Sequence, residues 1–172
     1  MKKENILVIV LVCIAMIGAV IYQQDRFNFS SSGSGTKGET NAQASESGIG
    51  WVAYDQGLGI AKQQGKPIFL YFYADWCTYC EKLKQTTFKD AAVLRYLEEN
   101  FVSIRVDTDA DSAMATEWNV RGLPTSWFLT SDSGRINSVP GYLDEKQFLN
   151  TLKYIHTKSY DTMSFHDFLK QL

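Results

Sequence analysis

Two cysteines lie between a predicted buried strand and a predicted helix, and no other feature restricts the fold of this chain as strongly. Residues 68–73 read Ile-Phe-Leu-Tyr-Phe-Tyr, a continuous run of apolar and aromatic strand formers. Such a run predicts a strand buried on both faces, as in the middle of a sheet. Residues 76–80 then read Trp-Cys-Thr-Tyr-Cys, and helix formers follow. The pattern therefore places both thiols where a central strand passes into a helix.

The other hydropathy patterns alternate helices with strands. We predict helices at Asp55–Gln64, Cys77–Phe88, Ala91–Asn100, Asp111–Trp118, from Asp144 to Ile155 and at Phe165–Leu172, and further strands at Phe101–Val106, Ser126–Leu129 and Ile136–Val139. The last two strands flank a Ser-Asp-Ser-Gly turn, which predicts an antiparallel hairpin. The order predicts an α/β fold with a central mixed sheet, helices on both faces and a C-terminal helical extension.

The N-terminus carries a long uncharged segment. Ile6–Tyr22 contains 17 residues without a charge, and a helix of that length spans about 26 Å, close to the roughly 30 Å of a bilayer core. Lys2 and Lys3 precede it, which predicts a cytoplasmic N-terminus and a domain in the periplasm or another extracytoplasmic space. A cleaved signal peptide, or lipidation at Cys13, would also export the domain. Residues 1–27 are therefore a single-pass anchor or a signal segment.

A polar segment separates this apolar run from the domain. Small and polar residues dominate from Ser30 to Gly50, where Ile49 is the only large apolar residue. We predict a flexible linker at residues 28–50 and a folded domain at residues 51–172. The chain has 17 basic and 19 acidic residues, a net charge of -2. This balance argues against a nucleic-acid-binding protein, which needs a clustered basic surface.

The Cys-x-x-Cys motif has three interpretations: half of a zinc site, a chance pair, or a redox dithiol. A structural zinc ion takes four ligands, but the domain has no further cysteine and only His156 and His166. A cysteine at a helix N-terminus meets unpaired backbone N–H groups and the positive end of the helix dipole, which stabilise the thiolate. We therefore favour a dithiol, with no metal and no cofactor beyond a redox-active Cys77–Cys80 disulfide.

The spacing of the two thiols assigns their roles. Cys77, at the helix start, is the predicted nucleophile, and Cys80, one turn later, is the predicted resolving thiol that attacks a mixed disulfide. Trp76 and Tyr79 flank them in sequence. These aromatic side chains either limit solvent access to the thiols or simply pack around the buried strand.

These motifs together resemble the thioredoxin superfamily. The strand, the Trp-Cys-x-x-Cys motif, the helix and the later Gly-Leu-Pro-Thr at residues 122–125 carry the resemblance over residues 51–155. The residues at 73–77, 87–90 and 141–144 are similar to those in the C-terminal periplasmic domain of bacterial reductant transporters of the DsbD type. They are also similar to those of small exported thioredoxin-like proteins. The resemblance implies that Pro124 is a cis-proline facing the sulfurs. It also implies that the Leu123 backbone pairs with an extended substrate segment.

One position departs from the superfamily pattern. Thioredoxins usually place a buried aspartate six residues before the first cysteine, and here that residue is Tyr71. The proton acceptor for the resolving thiol is then absent or supplied elsewhere. Asp75 and Glu81 are candidates, although the blander interpretation of both as solvated surface charges is favoured.

The sequence as a whole predicts a membrane-tethered thiol–disulfide oxidoreductase outside the cytoplasm. The resemblance implies the reducing direction, with protein disulfides as substrates and a membrane reductant transporter as electron donor. A disulfide oxidase or isomerase is the alternative within the same chemistry. A copper-handling thioredoxin-like protein is a further alternative, since soft thiolates suit Cu(I). The nearest methionine downstream of the motif, Met114, is however far away in sequence.

Overall fold

A computed structural model of the chain describes residues 48–172, which form one mixed sheet and its surrounding helices. The strands are β1 Trp51–Val52, β2 Ile68–Tyr73, β3 Val102–Asp107, β4 Thr125–Leu129 and β5 Arg135–Pro140. The helices are α1 Tyr54–Gln64, α2 Thr78–Gln85, α3 Ala91–Asn100, α4 Ser112–Glu117, α5 Glu145–His156 and α6 Phe165–Leu169, with 3-10 turns at Thr87–Lys89 and Ser159–Asp161.

The strand order places β2, the strand that precedes the two cysteines, in the centre of the sheet. The order is β1-β3-β2-β4-β5. β2 pairs in parallel with β3 and antiparallel with β4, and β5 completes the antiparallel hairpin. The side chains of β2 from Ile68 to Phe72 are all buried. The predicted central strand, the hairpin and the mixed α/β sheet are thus confirmed.

Helices cover both faces of this sheet. On one face α2, α3 and α5 enclose an aromatic core that includes Trp51, Phe69, Tyr71, Phe88, Phe128, Phe148, Cys77 and Cys80. On the other face α1, together with Trp118 directly after α4, covers Ile68, Leu70, Phe72, Ile104 and Leu129. Because successive side chains of a strand point to opposite faces, the uninterrupted apolar run of β2 supplies both cores at once.

The domain begins earlier than the sequence predicts. Ile49, which we assigned to the linker, is only 4% exposed and belongs to the aromatic core. Trp51 follows in the two-residue strand β1, and its ring lies 5.7 Å from those of Phe69 and Tyr71. A strand of two residues is too short to show an alternating pattern, so the sequence contained no periodic signal for it.

Two predicted helices end sooner than expected. The helix predicted to reach Phe88 stops at Gln85, and Thr86 leaves helical geometry with φ -115° and ψ -86°. The next turn instead buries Phe88, which is 2% exposed, while the Thr87 hydroxyl donates to the Leu143 carbonyl at 2.7 Å. These tertiary contacts outweigh the helix propensity of the segment. The last helix ends at Leu169 rather than Leu172.

The predicted membrane segment lies outside the described part of the chain. The structure says nothing of Ile6–Tyr22, nor of the linker before residue 48. Within residues 48–172 no helix combines the length and the apolar character needed to cross a bilayer. The anchor therefore stays a prediction from the sequence.

Candidate functional site

Cys77 and Cys80 form a disulfide at the point where β2 leads into α2. Their Cα atoms lie 5.2 Å apart, and the residues are 6% and 5% exposed. Cys77 is the N-cap of α2, and its Sγ accepts a hydrogen bond from the Cys80 backbone N–H at 3.1 Å. The sequence predicted this junction, and the structure places the first sulfur in the position where helix N–H groups stabilise negative charge.

The two aromatic neighbours of the cysteines project into solvent. Trp76 is 69% exposed and Tyr79 is 59% exposed. The interpretation that these rings pack around the buried strand is therefore wrong. Large exposed aromatic rings beside a buried disulfide form an apolar contact surface, the type of surface that is enriched at protein interfaces.

A loop after β3 holds one of these rings. The Trp76 indole Nε1–H donates to the Asp109 carboxylate at 2.8 Å. Thr108, the preceding residue, bonds to the Tyr73 carbonyl at the end of β2 through its backbone N–H at 2.9 Å and its hydroxyl at 3.2 Å. Sequence analysis missed Asp109, because the register of the sheet, which pairs Tyr73 with Asp107, brings this loop beside the cysteine motif.

The Leu123–Pro124 peptide bond is cis, as the resemblance implied. Pro124 is buried and Leu123 is half-buried against the core cluster that contains both cysteines. The next residue, Thr125, pairs with Phe72 of β2, so this loop lies at the same edge of the sheet as the disulfide. The Thr125 hydroxyl donates to the Gly122 carbonyl at 2.7 Å and helps to hold the loop.

A third loop, at residues 141–143, adjoins the cis-proline. The Gly141 N–H donates to the Pro124 carbonyl at 2.7 Å. The Tyr142 ring lies along α2, with the Lys82 ammonium 4.2 Å from its centroid and its hydroxyl 3.1 Å from the Thr86 Oγ1. Tyr142 is therefore a further candidate for the site around the cysteines. The sequence analysis included it only as part of the segment 141–144. Its proximity to α2 depends on long-range packing.

Tyr71 occupies the interior beneath this site. It is 5% exposed, and its ring stacks on that of Tyr73 at 5.7 Å between centroids. Burial raises the pKa of its hydroxyl far above the ordinary value, and the nearby Tyr73 and Glu81 raise it further. The group therefore stays protonated at neutral pH and cannot act as a base. Asp75 and Glu81, the alternative acceptors, are both exposed.

The acidic residues of the 107–111 loop have structural partners. Asp107 Oδ1 accepts from the Asp109 N–H at 2.9 Å, and Asp111 Oδ1 caps α4 by accepting from the Met114 N–H at 2.9 Å. Among residues 48–172, no group of three or more His, Cys, Asp or Glu side chains is arranged to hold a metal ion.

Comparison with known proteins agrees with this geometry. A family model described as a thioredoxin-like domain matches residues 54–156, more than half of the chain. The chain belongs to the thioredoxin-like family. Its domain is of the disulfide-oxidoreductase type, with Cys77 and Cys80 as the Cys-x-x-Cys pair.

The thioredoxin-like domain is also similar to individual known proteins. The thiol:disulfide interchange protein DsbD of Yersinia pestis is 38% identical over 100 residues, covering 55% of this chain and 17% of that protein. The match thus spans about a sixth of that relative's length. A thioredoxin from Thermus thermophilus superposes with a TM-score of 0.61 at 27% identity, covering 69% of this chain and 95% of that one.

The C-terminal domain of DsbD from Neisseria meningitidis, in its reduced form, shares the fold. Its TM-score is 0.51 at 24% identity, and the superposition covers 59% of this chain and 92% of that domain. Together with the 38% identity to DsbD of Yersinia pestis, this shared fold confirms the resemblance to DsbD-type domains that the sequence motifs predicted.

Proposed function

We propose that the chain is an extracytoplasmic thiol–disulfide oxidoreductase that reduces disulfide bonds in other proteins. The observation that carries this proposal is the Cys77–Cys80 disulfide at the N-terminus of α2, with the cis-proline loop at the same edge of the sheet. The exposed rings of Trp76 and Tyr79 offer a protein substrate an apolar surface beside it. Leu123 and Pro124 complete the substrate-contacting set.

The reaction proceeds in two exchanges. The Cys77 thiolate attacks one sulfur of the substrate disulfide, so that a mixed disulfide forms and the other substrate sulfur leaves as a thiolate and takes up a proton. The Cys80 thiolate then attacks the Cys77 Sγ and releases the second substrate thiol. Two electrons and two protons pass to the substrate, and the Cys77–Cys80 disulfide remains. No bound cofactor takes part.

The oxidised domain then needs a reductant. Space outside the cytoplasm is oxidising and lacks a thiol pool of its own. The similarity to DsbD supports a membrane reductant transporter as the donor, which would reduce the Cys77–Cys80 disulfide by the same exchange. Attachment through Ile6–Tyr22, with the N-terminus in the cytoplasm, would keep the domain close to such a donor. Signal cleavage would instead release it into the periplasm.

The direction of the reaction is tested by the reduction potential of the full chain. The residues between the cysteines, Thr78 and Tyr79, add no positive charge to stabilise the reduced form further. We therefore expect a value of roughly -200 to -280 mV, between glutaredoxins and thioredoxin. Equilibration with glutathione or dithiothreitol measures it, and insulin reduction with dithiothreitol as donor measures turnover. A potential of about -120 mV, with efficient oxidation of reduced substrates, would favour the oxidase alternative.

A further inference from the structure

We propose that the exposed apolar face of helix α6 rests on the phospholipid bilayer, so that the disulfide edge of the domain points away from the membrane. This inference goes beyond the proposed redox function and does not depend on it. It combines the predicted anchor at Ile6–Tyr22 with the end of the domain at which Gly48 and α6 lie.

Helix α6 and the residues after it leave apolar side chains open to solvent. Phe165 is 36% exposed, Leu169 40% and Leu172 64%. Their spacing of four and three residues places them along one side of a helix. Within the described part of the chain, the other large apolar side chains with comparable exposure are Trp76 and Tyr79. The domain thus has two exposed apolar surfaces, and only one of them adjoins the disulfide.

The opposite side of α6 is packed, so the exposed face has a fixed direction. Phe168 is 8% exposed, and its ring lies 5.3 Å from that of Tyr154 in α5. The Tyr154 hydroxyl donates to the Met163 carbonyl at 2.7 Å, just before α6. The helix is therefore a built part of the domain, although the thioredoxin-like family model ends at residue 156.

Helix α6 lies at the end of the sheet opposite to the cysteines. It packs on the last turn of α5, and His156, which ends α5, has its ring 6.3 Å from that of Phe101. Phe101 directly precedes β3, whose first residue, Val102, pairs with Ile68 at the start of β2. The cysteines follow the other end of β2. A strand of six residues, about 20 Å long, separates the two ends.

The described chain begins at this same end of the sheet. β1 is parallel to β3, and Trp51 pairs with Ser103, the second residue of β3. The residues before Trp51 therefore lie where β3 begins, and Gly48 and Phe101 line one cavity there of about 440 Å³. Gly48 and α6 thus share the end of the domain that is remote from the sulfurs.

The length of chain before Gly48 keeps this end close to the bilayer. Residues 23–47, which are 25 positions, separate the predicted span from Gly48. A flexible chain of that length has a root-mean-square span of roughly 25–30 Å. Such a tether raises the local concentration of α6 at the lipid, so that a face too weak to recruit a free protein still engages the membrane. Trp76 and Tyr79 lie at the far end of the domain and do not share this advantage.

The side chains of α6 favour an apolar contact over attraction to anionic lipids. Lys170 donates to the Asp167 carboxylate at 3.1 Å, so these two charges balance each other within the helix. Phe and Leu side chains enter the boundary between headgroups and acyl chains, and the strength of that contact scales with the apolar area buried. The contact should therefore form on uncharged lipid and persist in salt of about 0.5 M, which screens surface charges.

Photolabelling of the full-length protein tests this orientation. The protein is reconstituted into phosphatidylcholine vesicles that contain a lipid with a diazirine in its acyl chain, and labelled peptides are found by mass spectrometry. We expect peptides from residues 159–172 to carry at least about fivefold more label than peptides from residues 74–80, in low salt and in about 0.5 M salt alike.

Three results would overturn the proposal. The first is label on residues 74–80 with none on 159–172. The second is labelling of 159–172 that disappears in salt, because the contact would then be electrostatic. The third is a cross-link between two copies of 159–172 in place of lipid, since a second protein chain would then cover the face. A protein that loses its N-terminal segment and shows no vesicle contact would overturn it as well.

A matched pair of variants tests the face itself. Leu169→Glu places a charge on the exposed apolar side, whereas Gln171→Glu places the same charge two residues on, at an exposed position off that side. Label on 159–172 should fall at least about fivefold in Leu169→Glu and stay within about twofold in Gln171→Glu. Equal labelling of both variants would contradict a role of this face.

Two controls keep the outcome independent of folding and of activity. Urea unfolding of both variants shows whether α6 remains packed, and the labelling of the wild type decides the orientation even if Leu169→Glu unfolds. Insulin reduction is measured on the same vesicles. A wild type that reduces no insulin would refute the proposed function, while the labelling pattern would still decide which end of the domain meets the lipid.

Discussion

At the scale of single residues, the two sulfurs of the site differ in their surroundings. Cys77 Sγ caps a helix and accepts a backbone hydrogen bond, whereas Cys80 lies within the first turn beside the core residue Leu83. The helix N-terminus therefore favours the thiolate of Cys77. This difference supports the proposed roles, in which Cys77 attacks the substrate disulfide and Cys80 releases the product.

This assignment predicts opposite results for two cysteine variants. Cys80→Ala should accumulate mixed disulfides with substrate proteins in cells, because nothing resolves the adduct on Cys77. Cys77→Ala should accumulate none. Non-reducing gels and mass spectrometry of the adducts measure both, with the double alanine variant as control. Adducts on Cys80 in the Cys77→Ala protein, at equal yield, would reverse the roles.

A second residue-scale prediction concerns Tyr71 at alkaline pH. Burial raises the pKa of its hydroxyl, so above about pH 10 the unfolded chain loses this proton while the folded chain keeps it. The unfolded state then binds fewer protons, and the free energy of unfolding falls by about 1.4 kcal/mol per pH unit from this group. Below pH 10 both states hold the proton, and Tyr71 contributes no pH dependence.

Urea unfolding between pH 7 and pH 11 checks this slope. Tyr71→Phe should lose the alkaline fall that Tyr71 contributes, while Tyr79→Phe, which removes a hydroxyl from an exposed ring, should retain it. Equal slopes in Tyr71→Phe and the wild type would mean that the hydroxyl ionises in the folded state at its ordinary pKa.

At the scale of elements, helix α1 contains two glycines that a propensity argument cannot distinguish. A Cβ at Gly57 would lie 2.5 Å from Ile104 Cδ1, whereas a Cβ at Gly59 would meet nothing within 4 Å. Gly57 is therefore required for the close approach of α1 to β3. Gly59 only adds backbone freedom to the unfolded chain.

The two glycines predict stability changes of opposite sign. Gly57→Ala should lower the free energy of unfolding by about 1–3 kcal/mol through overpacking against Ile104. Gly59→Ala, the same change one half-turn away, should raise it by about 0.5–1 kcal/mol. Chemical denaturation of both variants gives the comparison. If Gly59→Ala lowered the free energy of unfolding as much as Gly57→Ala, the cause would lie in the helix itself rather than in its contact with β3.

At the scale of the whole molecule, the sequence predicts attachment to a membrane. Ile6–Tyr22 carries no charge, and Lys2 and Lys3 precede it, so the full chain should fractionate with membranes and expose its domain on the outer side. Removal of residues 1–27 should abolish both results. Fractionation and protease protection test this prediction. A soluble protein whose N-terminus lies near Val20 would indicate signal cleavage.

The sequence by itself determined the fold class, the central strand and the cysteine pair. The apolar residues from Ile68 to Phe72 are too hydrophobic to stay exposed to water and are all buried, and the helix cap at Cys77 depends on neighbouring residues only. Both are local properties. The resemblance to a known family added the cis bond at Pro124, which no local pattern indicates.

Only the tertiary structure decided what surrounds the sulfurs. Asp109 contacts Trp76 because of the sheet register, and Tyr142 contacts Lys82 of α2 because of loop packing. No local sequence pattern indicates contacts between residues so far apart in the chain. The same holds for Trp76, whose exposure depends on what other elements leave uncovered. Local sequence specifies where the cysteine pair lies, whereas the surface around the pair depends on long-range contacts that only the folded chain defines.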